Sequence, residues 1–339
     1  MINKDILLSV IIPCRNEEKY IGKCLDSLLE QKDIDFQYEI IVVDGMSEDK
    51  TREIIQGEKE YRNIVRIKDN PNRITPSAMN IGIKNSKGKI VAICGAHAIY
   101  DQYFLKNGVE LLKANPNIIG AGGPIISVSN SDFGKAVSLA MSSPIGVGNA
   151  KHRFPEYEGF AEMACFPFYK KEAFEKIGYF DERFIRNQDD EFSFRLNLAG
   201  EKIFISPKVK SEYFVRSSPK KLFKQYFQYG FWRYFVLKKH KKQISVRQIV
   251  PSVFLMTLFL TAAFGFFMHS LLLALWTPAV YLIIIFLFSL KIFFKNGLKI
   301  GTLYIFAVII LHTSYGLGLI WAILKESYSK NKVLSGKKD

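Results

Sequence analysis

Two long runs without charge constrain this chain most. Residues 248–290 hold no Asp, Glu, Lys or Arg, and neither do residues 300–324. As one helix, the first run would extend about 65 Å, roughly twice the hydrocarbon thickness of a bilayer. It must therefore break, and His269-Ser270 is the natural turn. The second run matches one crossing. The sequence thus predicts three membrane helices. A buried helical core is the competing reading, but charge-free runs of this length are rare in soluble domains. The 339 residues leave room for one large domain ahead of these helices.

The positive charge has a location. Lys+Arg total 47 against 32 Asp+Glu, and Lys238, Lys239, Lys241, Lys242 and Arg247 immediately precede the first apolar run. Such a cluster marks the cytoplasmic side and attracts anionic membrane lipid. Its place beside a span disfavours nucleic acid as the partner, and no nucleic-acid-binding module is recognisable. Residues 219–242 read as a basic, aromatic-rich helix lying in the membrane interface, with packing on the domain ahead of it as the alternative for another face. Three spans put the loop with Lys291, Lys295 and Lys299 in the cytoplasm and the tail outside. Yet that tail carries Lys325, Lys330, Lys332, Lys337 and Lys338. A two-crossing arrangement, with Pro251 or Pro278 breaking a helix, is the alternative.

The first half alternates strand and helix. Met1 to Asp5 leads straight into an apolar run, with no secretory signal pattern. Strands are predicted at 7–13, 38–43, 64–67 and 90–94, with helices at 20–29, 51–60 and 76–85 between them. This alternation predicts an α/β domain with a largely parallel sheet. Ligands of such sheets bind beyond the carboxyl ends of the strands. There lie Cys14 to Glu17, Asp44 to Ser47, Asp69-Asn70 and Gly95 to His97. No Gly-rich phosphate loop is present, so a bound nucleotide would be held by side chains and a metal. Cys14, Cys24, Cys94 and Cys165 form no CxxC pair, which excludes a zinc-type spacing and fits reduced, buried thiols.

Further along, a helix is predicted at 101–114. A strand at 118–126 carries Gly120, Gly122 and Gly123, implying close approach to a ligand or another chain. Residues 129–158 read as an irregular, mobile loop, and strands follow at 160–169 and 202–206. Between these two strands Gln188-Asp189-Asp190-Glu191 opens a helical pattern that Gly200 stops. Acidic residues in a first turn cap a helix; alternatively one of them is a carboxylate poised to take a proton.

The segments 10–17 (VIIPCRNE) and 41–51 (IVVDGMSEDKT) resemble the opening of glycosyltransferase family 2, inverting enzymes with a GT-A fold that use nucleotide-sugar donors. The segments 70–74 (NPNRI) and 78–83 (AMNIGI), then Gly88 and 95–98 (GAHA), are similar to the branch of succinoglycan-type glucosyltransferases of bacterial exopolysaccharide assembly. The resemblance covers roughly residues 7–235. It implies a mixed, largely parallel sheet flanked by helices and followed by transmembrane helices. Residues 1–215 would form the catalytic domain, 216–247 the interfacial helix, 248–324 the membrane domain and 325–339 a basic tail.

The resemblance also implies roles. Asp44 with Asn16 and Glu17 would hold the uridine end of a UDP-sugar, with Pro13, Ser47, Arg73, Asn80, Gly95, Arg195 and Arg233 as further donor-binding positions. Gln188-Asp189 aligns with the family's Glu-Asp pair, so Asp189 is the candidate base and Asp190 and Glu191 the runners-up. Gln228, Trp232 and Arg233 loosely match a diphosphate motif. The family has Asp-x-Asp, and this branch Asp-x-His, where the chain has Gly95-Ala96-His97. A divalent cation, Mn²⁺ in preference to Mg²⁺, would be left with His97 and Asp101 as candidate ligands. The acceptor implied is a lipid-linked saccharide. An inactive family member serving as a scaffold is the rival reading, motivated by the missing carboxylate at Gly95.

Overall fold

The computed structural model describes residues 5–57, 61, 64–241 and 245–334, with side chains described as far as Glu326. Met1 to Asn3 and Lys4, Glu60, Lys242, Lys337 and Lys338 fall outside that description, as do the side chains of Lys330 and Lys332. The chain forms two compact units. One combines Met1–Ile126 with Ala150–Phe214; the other combines Ser127–Asn149 with Val215–Asp339.

In the first unit β1 (Ile6–Cys14), α1 (Ile21–Leu29), β2 (Gln37–Asp44), α2 (Thr51–Gly57), β3 (Val65–Asp69), α3 (Thr75–Asn85) and β4 (Ile90–Ile93) follow in order. They are the alternating elements read from the sequence. Next come β5 (Ala98–Tyr100), α4 (Phe104–Ala114) and β6 (Gly120–Gly123). The chain then runs through β7 (Ile126–Val128), α5 (Asp132–Met141) and α6 (Pro144–Val147). It returns with β8 (Gly159–Ala161), β9 (Cys165–Lys170), α7 (Glu172–Ile177), α8 (Gln188–Leu198), β10 (Ile203–Ile205) and β11 (Ser211–Phe214).

Eight strands form one sheet in the order β3-β2-β1-β4-β9-β6-β10-β8. The first four are parallel; β9 runs antiparallel to both β4 and β6. Both faces of the sheet are buried, which is why β1 and β2 read as continuous apolar runs. On β1, Leu8, Val10 and Ile12 pack toward α1 and α4, while Ile11 packs toward Ala78, Ile83 and Phe192 on the other face. A short antiparallel pair joins β5 to β11.

Three expectations change. The single strand read over 160–169 is two, β8 at the sheet edge and β9 at its centre. Pro167 lies in β9 where the pairing with β6 shifts register between Ala121 and Gly123, so its missing N–H leaves no regular ladder bond unmade. The glycines of 118–126 make room for the protein's own backbone: a Cβ at Gly123 would come within 1.8 Å of the Val209 carbonyl oxygen. The loop read at 129–158 contains α5 and α6, and this stretch belongs to the second unit as far as Asn149.

In the second unit α9 (Pro219–Lys239) is followed by α10 (Val246–Phe267) and α11 (Leu271–Leu334). Both α10 and α11 are long and apolar enough to cross a membrane. Gly297, at φ 80° and ψ 170°, interrupts α11, so three helical stretches result, at 246–267, 271–296 and 298–334. The predicted break at His269-Ser270 separates the first two, and His269 takes φ 51° there. Pro251 and Pro278 lie inside α10 and α11 without ending them. Helix α9 packs along α11, burying Leu222, Tyr226, Gly230, Arg233 and Val236, and Tyr234 and Lys238 both bind Glu326. Helices α5 and α6 also pack on α11.

Candidate active site

The parallel strands bring their carboxyl ends into one line: Cys14 pairs with Asp44, and Asp44 with Asp69. Backbone strain gathers along this edge. Of the seven described non-glycine residues with positive φ, Asn16 follows β1, Met46 follows β2, Arg73 lies beyond β3, Phe166 lies in β9 beside Gly95, and Asn187 precedes α8. Left-handed backbone at residues with side chains costs energy and concentrates at functional sites.

The first two turns hold each other. Asn16 N–H donates to Ser47 Oγ at 2.8 Å, and Glu48 N–H donates to Asn16 Oδ1 at 2.9 Å. Glu17 N–H donates to Thr51 Oγ1 at 2.7 Å, and Thr51 is fixed in turn by Asp49. Asp44 is fully buried. Its carboxylate accepts from Ser47 Oγ at 2.5 Å and from Arg52 Nη1 at 3.0 Å, and Arg52 also reaches Asp69 at 2.7 Å. Asp44 therefore organises the 44–47 turn, and both its oxygens already carry a bond.

His97 sits at the fourth strand end. Its Nδ1 lies 3.0 Å from Glu17 Oε2. The ring stacks on Tyr20 at 5.0 Å and parallel to Tyr213 at 6.3 Å. Gly95 is held through its N–H and carbonyl by Tyr100 Oη, at 2.7 and 3.0 Å. A Cβ at Gly95 would lie 2.8 Å from the Phe166 ring, so aromatic carbon occupies the space a carboxylate would need. Among the described residues no group of three or more His, Cys, Asp or Glu side chains could hold a metal ion. His97 and Asp101 stand at opposite ends of β5, about 13 Å apart at strand rise. Asp101 instead holds the turn that leads into α4, accepting from Tyr103 N–H at 3.0 Å through its side chain and from Phe104 N–H at 2.9 Å through its carbonyl. At that spacing Asp101 and His97 do not converge on one ion.

Helix α8 separates its carboxylates by environment. Glu191 is fully buried and takes bonds from Arg195 Nε at 3.0 Å and Nη2 at 3.0 Å. Arg195 also donates to the carbonyls of Ile177 at 2.5 Å and Tyr179 at 2.7 Å. Asp189 is exposed in the first turn, where its Oδ1 accepts from Asp190 N–H at 3.0 Å, and Asp190 is half-buried. Near Asp189 lies Cys165. Burial pushes the Cys165 thiol up to about 12, the Arg153 charge opposes this, and the Asp189 charge adds to it.

The strand ends thus assemble Pro13, Asn16, Glu17, Asp44, Ser47, Gly95 and His97. Arg73 lies in the turn beyond β3, 3.6 Å from Glu48. Asn80 and Arg195 are turned elsewhere. Buried Asn80 bonds the Phe180 backbone at 2.9 and 3.0 Å and Glu182 at 2.9 Å, joining α3 to the segment before α8. Arg233 is buried in α9 of the second unit. Sequence reading missed Arg52, Tyr20, Tyr213 and Phe166. Only Arg52 carried a signal, as a cation in the first turn of the helix that follows the Asp44 turn.

A row of polar strand ends with a carboxylate at a helix start suits group transfer from a nucleotide-bound substrate. The family model described as glycosyl transferase family 2 matches residues 9–178. A Methanococcus voltae relative is 35% identical over 239 residues, covering 68% of this chain and 74% of its own length; it is described as a dolichyl N-acetyl-alpha-D-glucosaminyl phosphate 3-beta-D-2,3-diacetamido-2,3-dideoxy-beta-D-glucuronosyltransferase. The succinoglycan biosynthesis protein ExoA of Rhizobium meliloti is 30% identical, covering 71% and 73%. Among solved structures, the mannosyltransferase PcManGT from Pyrobaculum calidifontis, in complex with GDP-Man and Mn²⁺, aligns with TM-score 0.56 at 17% identity, covering 97% of this chain and 89% of that one. These chains share the fold. The fold and sequence together define a glycosyltransferase of polysaccharide or glycolipid biosynthesis. The chain belongs to glycosyl transferase family 2.

Proposed function

We propose that the protein is a membrane-bound inverting enzyme that moves a sugar from a nucleotide diphosphate, a UDP-sugar, to a lipid-linked saccharide at the cytoplasmic face. The observation that carries this is the sorting of carboxylates on α8: Glu191 is consumed by Arg195, which leaves Asp189 exposed in the first turn. In an inverting transfer the acceptor hydroxyl attacks the anomeric carbon as the nucleoside diphosphate leaves from the opposite face. Asp189 takes the hydroxyl proton, and Asp190 is the neighbouring alternative. Asn16, Glu17 and the Asp44 turn hold the uridine end. The names of the relatives support a lipid-linked acceptor, since the Methanococcus voltae protein is described as acting on a dolichyl-linked sugar phosphate. The apolar helices α10 and α11 support a multi-pass membrane enzyme, and the lysines before α10 support a cytoplasmic catalytic unit.

His97 and Glu17, one imidazole and one carboxylate already bonded to each other, do not make a Mg²⁺ site by themselves, since that ion asks for octahedral oxygen. We assign no step to a metal.

The test is transfer and donor hydrolysis by the purified full chain in lipid nanodiscs, across UDP-, GDP- and TDP-sugars, with and without Mn²⁺. Activity with a UDP-sugar is expected. A folded protein inert toward every donor would support the scaffold reading instead.

A further inference from the structure

His312 is the middle residue of the charge-free run 300–324. A titratable side chain in an apolar helix needs partners, and both ring nitrogens have one. Nε2 lies 2.7 Å from the carbonyl oxygen of Ile145, in α6. A carbonyl only accepts, so Nε2 carries the proton. Nδ1 lies 2.9 Å from Tyr281 Oη, in the first stretch of α11, and in the neutral ring it accepts the hydroxyl proton. Tyr281 in turn packs on Phe254 of α10, ring centroids 4.2 Å apart. One imidazole therefore ties α6 to the helices on both sides of Gly297.

The tie belongs to a series. Lys299 pairs with Asp132 at the start of α5, at 2.6 Å. Tyr304 Oη donates to Ser143 Oγ at 2.9 Å, and Ser143 caps α6. Arg247, in the first turn of α10, donates to Asn149 Oδ1 at 3.2 Å. Residues 127–149 are thus held at four points by α10 and α11. By chain connection they lead directly into residues 151–153 and β8 of the catalytic unit.

We propose that His312 is a positioning residue for the acceptor: it clamps the α5–α6 segment onto the membrane helices, and the clamped segment sets affinity for the membrane-borne substrate. This rests on the lipid-linked acceptor proposed above. The donor half of the reaction, built at the strand ends, does not depend on the clamp.

The test compares His312→Leu, His312→Gln and Tyr281→Phe with wild type in nanodiscs. It measures donor hydrolysis, and transfer to a polyprenyl-diphosphate-linked saccharide at varied acceptor concentration. His312→Leu keeps the apolar volume but cannot donate to Ile145; the Gln amide can. The expected result for His312→Leu is an acceptor KM raised about tenfold or more, the order of one lost hydrogen bond to a buried carbonyl. Donor KM and donor hydrolysis stay unchanged, and His312→Gln recovers most of the affinity. Amide exchange in residues 132–147 rises in His312→Leu and returns in His312→Gln. Equal acceptor KM in wild type and His312→Leu, or equal loss of donor hydrolysis and transfer, overturns the clamp. A wild type that hydrolyses donor but ignores every lipid-linked saccharide overturns the acceptor reading instead, and the exchange data then report on the clamp alone.

Discussion

Glu191 and Arg195 face each other one turn apart on α8, the guanidinium reaching both carboxylate oxygens of a fully buried side chain. This pair explains how three consecutive acidic residues take different parts. Glu191 and Arg195 fasten the helix to the carbonyls of residues 177–179, and Asp189 stands solvent-exposed in the first turn.

Exchanging each acid for its amide separates the roles. Asp189→Asn should lower transfer by about 10²- to 10⁴-fold, the usual contribution of a general base, with UDP affinity nearly unchanged. Glu191→Gln should act on stability, since breaking a buried ion pair costs about 3–5 kcal/mol. Turnover and isothermal titration with UDP, beside thermal melts, read the two effects. Wild-type turnover in Asp189→Asn with loss in Asp190→Asn would move the base by one residue.

Arg52 joins two strand ends through Asp44 and Asp69. Replacing it with Ala leaves a fully buried carboxylate with Ser47 alone, a loss of about 1–3 kcal/mol. The 44–47 turn should loosen, and affinity for UDP should fall with it. Arg52→Lys should lie between, because one ammonium cannot reproduce the guanidinium fork. Unchanged UDP affinity in Arg52→Ala would separate this turn from the donor.

At Gly95 a carboxylate cannot simply be put back. Gly95→Asp alone should destabilise by about 1–3 kcal/mol through overpacking against Phe166. Pairing it with Phe166→Leu should relieve the overlap and tighten Mn²⁺ binding, measured by calorimetry with UDP present. Tight Mg²⁺ binding by the unaltered protein would reveal oxygen ligands other than Glu17 and Asp101.

Acid stability should depend on Glu39. Burial pushes its carboxyl up, but hydrogen bonds from the Lys87 N–H and Ser9 Oγ, each 2.7 Å, and the Arg66 guanidinium hold it below the ordinary range. A depressed folded value gives stability that is fully present above the unfolded value, about 4.3, and is lost as pH falls through the folded one. Glu39→Gln should be less stable at neutral pH and show a flatter decline below about pH 4. Denaturant melts across that range test it.

For orientation, a cysteine at residue 335 in a chain lacking the four buried native cysteines reports the side of the tail. Three crossings place it outside, so a membrane-impermeant thiol reagent should label it in intact cells. Labelling only after permeabilisation would favour two crossings.

The sheet was legible because its strands are buried on both faces and read as unbroken apolar runs, as β1 and β2 do. The division of 160–169 was not, since nothing local separates an edge strand from a central one across Glu162 to Ala164. At the site, positions at strand ends followed from topology once the strands were known. Side-chain direction did not: Asn80 and Arg195 turn toward residues 177–182, a partner distant in sequence. The α5–α6 segment read as a loop because its apolar residues answer to α11, more than 150 residues later in the chain.

That separation has a consequence during synthesis. At roughly 5–20 residues per second, the ribosome reaches His312 on the order of ten to thirty seconds after α6 has emerged. Until then the face of α5 that carries Ala136, Val137, Ala140 and Met141 has no helix to cover it, although most of the sheet is already made. The nascent chain must keep this insert from aggregating until α11 arrives. A chain stopped at residue 215 would retain the insert and never gain its cover, so one cut does not separate the first unit from the second.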